Sequence, residues 1–471
     1  MGDSSIQPEL YESGPSKFEW ALAFIVLIVP FMSFCYSDTK CIIAYEIKFA
    51  QAILNCDLRL AYDMQVFKDL NLAFPWWDLP LNLTLGIWGI PLYLWSCKSG
   101  ELVINFHESF LQILYGKSIL LAAFIFSAVL VYKICRAINI NPQKSRWGAY
   151  IYFTSAMSIN VISIIGQSDI ICVCLTLLGV LAYIRNEDKK FLFWLILACQ
   201  FKQFAFFLFV PLLLLREKNL LRLMGKIFLL LVVMIICNAP FILLPEVAKA
   251  RAAITRNVLG GLLGNGVKLL WDKVPILLLM WGALCIYCWL HDFDKNLSRD
   301  EINYRIIFIA MLSMIILFAS FTTSPYWFMH MIPYFSIMAV CKDVDSRKFL
   351  LFESLTMASI IFYYCCLTYW CYTPNNAINM LLYKMTGSPD LINIKALMGN
   401  NSDLVISNKL INFIVKVVKT QLPRTLSISV YIICIWTCAY IASPRKLSNY
   451  TQGGGGTFCD LMLCSDYYLM R

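Results

Sequence analysis

The chain has 471 residues, 60% of them hydrophobic and only 14% charged, and its mean hydropathy is +0.68. A soluble domain carries roughly 25% charged residues, so this composition excludes an ordinary soluble globular protein and points to an all-α polytopic membrane protein. The net charge of +10 is then read as Lys and Arg of membrane-flanking connections rather than as a nucleic-acid surface.

The opening stretch "MGDSSIQPELYESGPSKFEW" is polar and acidic and lacks the basic n-region of a signal peptide. Residues 1–17 are therefore expected to be a cytoplasmic segment, and the first apolar run a retained anchor. A spanning helix needs about 20 apolar residues. Runs of that kind start at Trp20, Ser118, Trp147, Ile170, Phe191, Ile227, Pro275, Ile306, Tyr326, Phe349 and Leu426. The run 191–215, "FLFWLILACQFKQFAFFLFVPLLLL", reads either as one long helix or as two short spans hinged at Lys202 and Gln203.

The positive-inside rule separates the two readings. Short connections rich in Lys and Arg lie at 133–146, 185–190, 216–226, 295–305, 342–348 and 445–446. They share one side only if 191–215 crosses twice. That gives about 12 transmembrane helices with both termini inside and three long outer segments, 37–117, 245–273 and 371–424. Within the first of these, "LPLNLTLGIWGIPLYLWSC" (79–97) reads as a membrane-lying helix, because a span there would put the basic clusters on alternating sides.

The tail 446–471 contains a glycine run followed by a segment unlike the rest, and reads as a linker with an appended peptide. The 19 Cys show no metal-site spacing. Most, including Cys172, Cys174, Cys237, Cys285, Cys288, Cys365 and Cys366, lie in apolar runs, where Cys acts as a small hydrophobe.

In this topology the unusual polar residues share the outer face: Asp38 after the first span, Asp78 in "FPWWDLPLN", Gln167 and Asp169 in "GQSD", Lys202 and Gln203 in "FKQF", and Tyr326 and His330 in "SPYWFMHMIPYF". Each has a plainer reading. Asp38 reads equally as a solvated residue after a span, Asp169 as a helix cap, Lys202 as a snorkelling side chain and His330 as a packed core histidine. Asp57, Asp63 and Asp69 read as solvated faces of short helices. The segment 245–273 carries Lys249, Arg251 and Arg256, which read as a clasp for an anionic ligand or as a headgroup-facing cover; Arg256 is the substrate-binding candidate among them.

Taken together, a carboxylate can accept a proton from an acceptor hydroxyl, and a nearby ammonium can stabilise a departing phosphate away from bulk water. Such a pair beside lipid suits sugar transfer from a lipid-phosphate donor. A nucleotide donor is disfavoured, since no Walker or dinucleotide-binding glycine motif is present.

The order of an Asp after the first span, a long outer loop with "WWDLPL", then "GQSD", "FKQFAFFLFVPLLLL" and "SPYWFMHMIPYF", resembles the GT-C class of integral-membrane glycosyltransferases. The resemblance is to bacterial proteins related to the mannosyltransferase of GPI-anchor assembly. It spans most of 18–445 and is concentrated in 130–220. It implies a GT-C-like transmembrane domain over 18–445 and inverting transfer from a polyprenyl- or dolichyl-phosphate sugar to a glycan or glycolipid acceptor. The site would face the non-cytoplasmic side of a bacterial plasma membrane, or of the ER membrane in a eukaryote. By position, Asp38 matches the acidic residue that acts as general base. Asp78 matches an Asp/Asn-Tyr-Pro-Pro element of which one proline remains. Gln167 and Asp169 match a Gln-x-Asp element that meets sugar hydroxyls. Lys202 and Gln203 match a polar break, with Lys202 the phosphate ligand. Tyr326 and His330 depart from the His-Glu-Arg-Tyr version of their segment. A divalent cation (Mg or Mn) bridging Asp38 and the donor phosphate is compatible with this set, although the first loop has no Asp-X-Asp pattern. Two other classes stay open: a lipid-linked oligosaccharide polymerase or ligase, and a lipid-sugar transporter.

Overall fold

The computed structural model describes residues 13–69, 75, 78–99, 109–264, 266–269, 272–291, 298–319, 325–341, 349–351, 353–356, 358 and 377–379. The expected span from Leu426, the tail, Cys365, Cys366 and nearly all of 371–424 lie outside these residues. The architecture is mostly helical. In chain order the elements begin with α1 (Lys17–Ser33), β1 (Phe34–Tyr36), α2 (Ser37–Leu54), α3 (Met64–Asp69), α4 (Leu79–Ser99), α5 (Phe110–Ala137) and α6 (Pro142–Thr154). They continue with α7 (Ala156–Ile159), which runs into a π-helical turn over Asn160–Ile165, and then α8 (Asp169–Ile184), α9 (Asp188–Phe201), α10 (Ala205–Arg216), α11 (Leu220–Leu243) and α12 (Pro245–Gly264). A hairpin of β2 (Gly266–Leu269) and β3 (Asp272–Pro275) leads to α13 (Ile276–Leu290), α14 (Arg299–Ala319), a 3-10 turn over Pro325–His330, α15 (Ile332–Cys341) and β4 (Ala377–Asn379). β4 pairs antiparallel with β1, with Cys35 opposite Ile378.

Among the described residues, Phe110–Ala137, Leu220–Ala239 and Arg299–Phe318 are long and apolar enough to cross a membrane, and α6 with α7 and its π turn makes a fourth candidate if taken as one span bent by 47°. That is the signature of a membrane protein. Helices α8, α10, α13 and α15 are apolar but shorter, 10–17 residues. The length of α8 is 16 residues. With a rise of about 1.5 Å per residue, such a helix reaches about 24 Å, short of a hydrocarbon core of about 30 Å.

The bend between α6 and α7 has an identifiable cause. Glu353, fully buried, accepts from Ser155 Oγ at 2.6 Å and from the backbone N–H groups of Ala156 and Met157 at 3.0 and 2.9 Å. It satisfies donors that open the first turn of α7, which a continuous helix would have used internally. A second buried ionisable side chain ties further elements together. Lys117 Nζ donates to the carbonyls of Phe31, Phe34 and Ser163 at 2.6, 2.7 and 3.1 Å. It thereby ties the end of α1, the start of β1 and the π turn to α5, using all three donors of an ammonium group.

Among the described residues, the connections 133–146, 185–190, 216–226 and 295–305 make contacts at one end of the bundle. The Arg216 guanidinium pairs with Asp188 and donates to the Tyr183 carbonyl, so α9 and α10 form a hairpin whose outer ends meet. Lys218 Nζ donates to the carbonyls of Cys288, Trp289 and His291 at 2.7, 2.9 and 2.9 Å, capping α13. Asn139 donates to Asp300 at 2.6 Å, and Trp147 Nε1 reaches the Ser13 carbonyl at 2.8 Å.

Two of the expected outer segments take the following form. The segment 245–273 is a helix followed by a hairpin. "PEVAKARAAITRNVLGGLLG" opens with Pro245, whose missing N–H costs nothing in a first turn. Its Ala, Arg and Leu content carries the helix through Gly264. Residues 79–97 lie within one unbroken helix, α4, packed directly on α2. A Cβ at Gly89 would sit 2.4 Å from the Glu46 carbonyl oxygen, and one at Gly86 would sit 2.6 Å from Phe49 Cβ, so only glycine permits the contact.

Candidate functional site

The end of the bundle opposite the basic connections carries a polar cluster assembled from helix beginnings. Asp38 lies in the first turn of α2, immediately after β1. The next residue, Thr39, is buried and donates from Oγ1 to the Ile165 carbonyl at 2.9 Å, fixing the start of α2 on the end of the π turn. That turn stops at Gly166, whose φ of 69° is left-handed. A Cβ there would also lie 2.2 Å from Thr39 Oγ1. Glycine is thus required both for the backbone and for the close approach. The reversal aims Gln167 back at Asp38, and Gln167 Nε2 donates to Asp38 Oδ2 at 2.6 Å. Gln167 Oε1 and Ser168 Oγ are buried and have no hydrogen-bond partner among the described residues.

Asp169 opens α8. It does not cap that helix: Ser168 holds the cap position, and neither carboxylate oxygen of Asp169 takes a hydrogen bond from the backbone. The side chain instead turns to the tip of the α9–α10 hairpin, where Lys202 Nζ lies 2.7 Å from Oδ1, with side chains 10% and 0% exposed. Lys202 therefore points inward and does not snorkel. The hairpin breaks there because Lys202 adopts an extended backbone (φ −153°, ψ 126°), at the hinge marked by the sequence. On the other side His330 Nε2 stands 3.8 Å from Asp169 Oδ2. That separation is beyond hydrogen-bond length. The His330 ring packs against both Phe204 and Phe318, at centroid distances of 5.8 and 6.0 Å, and those two rings pack on each other at 5.6 Å. Lys202 Nζ lies 5.8 Å from the Phe204 ring centroid and 6.0 Å from that of Trp327. These rings form an aromatic wall that suits a cation and separates the carboxylate from bulk water.

The remaining candidates fall around this cluster. Asp78 is buried and forms an ion pair with Arg251 of α12, and the charge of Lys202 also reaches it. Burial nevertheless pushes the Asp78 carboxyl up, against the pull of Arg251. Tyr326 is half-buried, with its ring 6.0 Å from that of Trp327. Gln203 is exposed at the hairpin tip and takes no place among the paired charges. Arg256 is exposed and lines a groove with Arg251, so Arg251 is the member of the basic triplet that joins the cluster. Asp57 and Asp63 are spent locally, accepting from the Arg59 and Gln65 backbone.

Burial pushes the Asp38 carboxyl up to about 6, while the Gln167 bond and the charge of Lys202 hold it lower than burial alone would. The neighbouring charge of Asp169 adds to the upward shift. A carboxyl with this value is ionised near neutrality and basic enough to accept a proton. For a cation the donor set is poor. Among the described residues no three His, Cys, Asp or Glu side chains group closely enough to hold a metal ion, and Asp169 is already committed to Lys202. No step is therefore routed through a divalent ion.

The arrangement offers a half-buried base, a buried amide oxygen and hydroxyl able to meet a polyol, and an ammonium group fixed by a carboxylate. All lie at one end of an apolar bundle. The chain matches no known protein-family profile, and no curated protein matches it.

Proposed function

We propose that this protein is a GT-C-like integral-membrane glycosyltransferase that moves a sugar from a polyprenyl-phosphate or dolichyl-phosphate donor to an acceptor hydroxyl, with inversion at the anomeric carbon. A mannosyl or other hexosyl group would be the one transferred. One observation carries the reading: Asp38, Gln167, Asp169, Lys202 and His330, from four separate parts of the chain, lie together at the end of the bundle away from the basic connections.

Asp38 takes the proton of the acceptor hydroxyl as that oxygen attacks the anomeric carbon. The bond from that carbon to the phosphate oxygen breaks, and its electron pair stays on the lipid phosphate. Lys202, oriented by Asp169, neutralises that departing charge where a low dielectric makes the attraction strong. Gln167 holds Asp38 in place and, through its unpartnered oxygen, meets a sugar hydroxyl together with Ser168. In this reading the basic connections face the cytoplasm and the cluster faces the other side, within the roughly 12-span topology expected from the sequence. The 16-residue length of α8, shorter than a hydrocarbon core, supports a recess at Asp169 that a lipid-linked sugar enters from the bilayer.

The test is incubation of the purified protein in detergent with a panel of polyprenyl-phosphate sugars and mass analysis of the lipid products. Consumption of one donor, lost in Asp38→Asn, supports the reading; no transfer from any donor refutes it. Detergent also separates transfer from transport, since transport needs a sealed compartment.

A further inference from the structure

Lys117 is a fully buried ionisable side chain that takes no part in the proposed transfer. Its ammonium group donates to the carbonyls of Phe31, Phe34 and Ser163 and lies 4.4 Å from the Phe31 ring centroid. Among the described residues no carboxylate forms an ion pair with it. Burying an ammonium group without a counter-ion is costly, and an apolar side chain of similar length would fill the space without that cost. An apolar side chain cannot bond three carbonyls at once. Two of the acceptors lie just upstream of the two halves of a single hydrogen bond. Phe34 opens β1, which runs directly into the first turn of α2 and Asp38. Ser163 lies in the π turn, which ends at Gly166 and passes the chain to Gln167. Gln167 then meets Asp38 at 2.6 Å. Two further bonds close the same junction, from Thr39 Oγ1 to the Ile165 carbonyl at 2.9 Å and from Ser163 Oγ to the Leu27 carbonyl at 2.8 Å.

We infer that Lys117 is a positioning residue for the polar cluster: it fixes the strand that delivers Asp38 against the turn that delivers Gln167, at the separation their hydrogen bond requires. An ammonium group suits this task because its three donors fan out from one atom, so the carbonyls it holds keep one spacing. The groups that face Asp38 are Gln167, Lys202 and Asp169, with Tyr45 on its own helix. Of these, Gln167 is the one that directly follows the turn bonded by Lys117. The inference rests on the proposed function only for what the positioning serves, since the geometry itself does not require that sugar be transferred.

The Gln167 bond holds the Asp38 carboxyl below the level that burial alone would set, so the titration of Asp38 reports the positioning without any turnover. Full-length protein in detergent would be labelled with a water-soluble carbodiimide, which reacts with the protonated acid, and Asp38 read by peptide mass analysis against pH. The wild type loses label as pH rises through about 6. Gln167→Leu raises that midpoint by about one pH unit, the size carried by a hydrogen bond to a charged group. Lys117→Met raises it comparably, and the double variant by no more than Gln167→Leu alone, because both changes remove the same bond. A merely structural loosening acts in the opposite direction, since water reaching Asp38 relieves the burial that raises its carboxyl. Lys218→Met is the matched control: its ammonium group also holds three carbonyls, at the end of α13, so that variant loses stability and keeps the wild-type midpoint. If Lys117→Met does not fold, Thr39→Val removes one bond of the same junction and gives a smaller upward shift, while Thr39→Ser, which keeps the hydroxyl, gives none. An unmoved or lowered midpoint in Lys117→Met, or in Thr39→Val in its place, overturns the inference, as do additive shifts in the double variant or no shift in Gln167→Leu. If no donor is ever consumed, the enzyme reading fails and the midpoints still decide the positioning role. If transfer proceeds while the Lys117→Met midpoint stays put, the positioning role fails and the enzyme reading stands.

Discussion

Replacing Asp169 by Asn keeps the shape of the side chain and removes its charge, which isolates the ion pair at the centre of the cluster. Lys202 Nζ is 2.7 Å from Asp169 Oδ1, and the two side chains are 10% and 0% exposed. Water therefore cannot compensate a lone ammonium, and breaking such a pair by removing one partner costs about 3–5 kcal/mol. Lys202→Met alone leaves the opposite charge stranded and costs a similar amount. The double variant Asp169→Asn, Lys202→Met removes both charges at nearly constant volume, so its loss is expected to be far below the sum of the singles. Coupling between neighbours of this kind reaches about 0.5–3 kcal/mol, and full burial places this pair at the upper end. Unfolding of the four proteins in detergent, followed by thermal scanning, reads the cycle. Additive losses within about 0.5 kcal/mol would mean that Asp169 and Lys202 share no energy, and that the start of α8 and the tip of the α9–α10 hairpin do not meet.

Three further outcomes follow from other parts of the structure. Lys117→Met leaves three carbonyls, two of them buried, without their donor. With charged hydrogen bonds worth about 1.5–3 kcal/mol each and desolvation of the ammonium relieved, a net loss of about 2–4 kcal/mol is expected. The lock it breaks holds β1, so buried Cys35 should become reactive to thiol reagents, and a Cys35 that stays protected would contradict the role. Gly166→Ala should cost about 2 kcal/mol or more from the left-handed backbone alone. Adding Thr39→Ala should recover only the part caused by the 2.2 Å clash; complete recovery would show that the backbone is unstrained. Asp38 is raised from 3.8 to about 6 in the folded protein, so the stability it contributes is present below the unfolded value and is lost as pH rises through about 6. Its activity runs the other way: a base must be ionised, so kcat/KM should fall about tenfold per unit below about pH 6. A flat profile from about pH 5 to about pH 7 would exclude Asp38 as the base.

Much of the bundle is legible in the sequence because apolar runs bounded by Lys and Arg have few structural options in a membrane. The hinge at Lys202 is readable for the same reason, since a charge and an amide inside an apolar run cannot stay in lipid. Other features depend on partners distant in sequence. Lys117 reads as the last residue of an outer loop, yet its partners are Phe31, Phe34 and Ser163. Glu353 reads as a charge near the start of a span, yet it caps a helix 197 positions earlier. Glu46, buried without a hydrogen-bond partner among the described residues, is invisible until α4 packs against α2 at Gly86 and Gly89. Asp169 has the position of a helix cap, and only the return of the chain at Lys202 shows where its charge is spent. In a loop Lys249, Arg251 and Arg256 are equivalent; in the helix α12 Arg251 pairs with Asp78 and Arg256 stays exposed.

The central claim is that the Asp38–Lys202 cluster transfers sugar from a lipid phosphate. The most direct measurement is single-turnover transfer from a radiolabelled polyprenyl-phosphate sugar by purified wild-type protein and by Asp38→Asn. The account predicts product from the wild type, with inverted anomeric configuration, and loss of the chemical step in the variant while donor binding persists. Equal product from both proteins, or retained configuration, would contradict it.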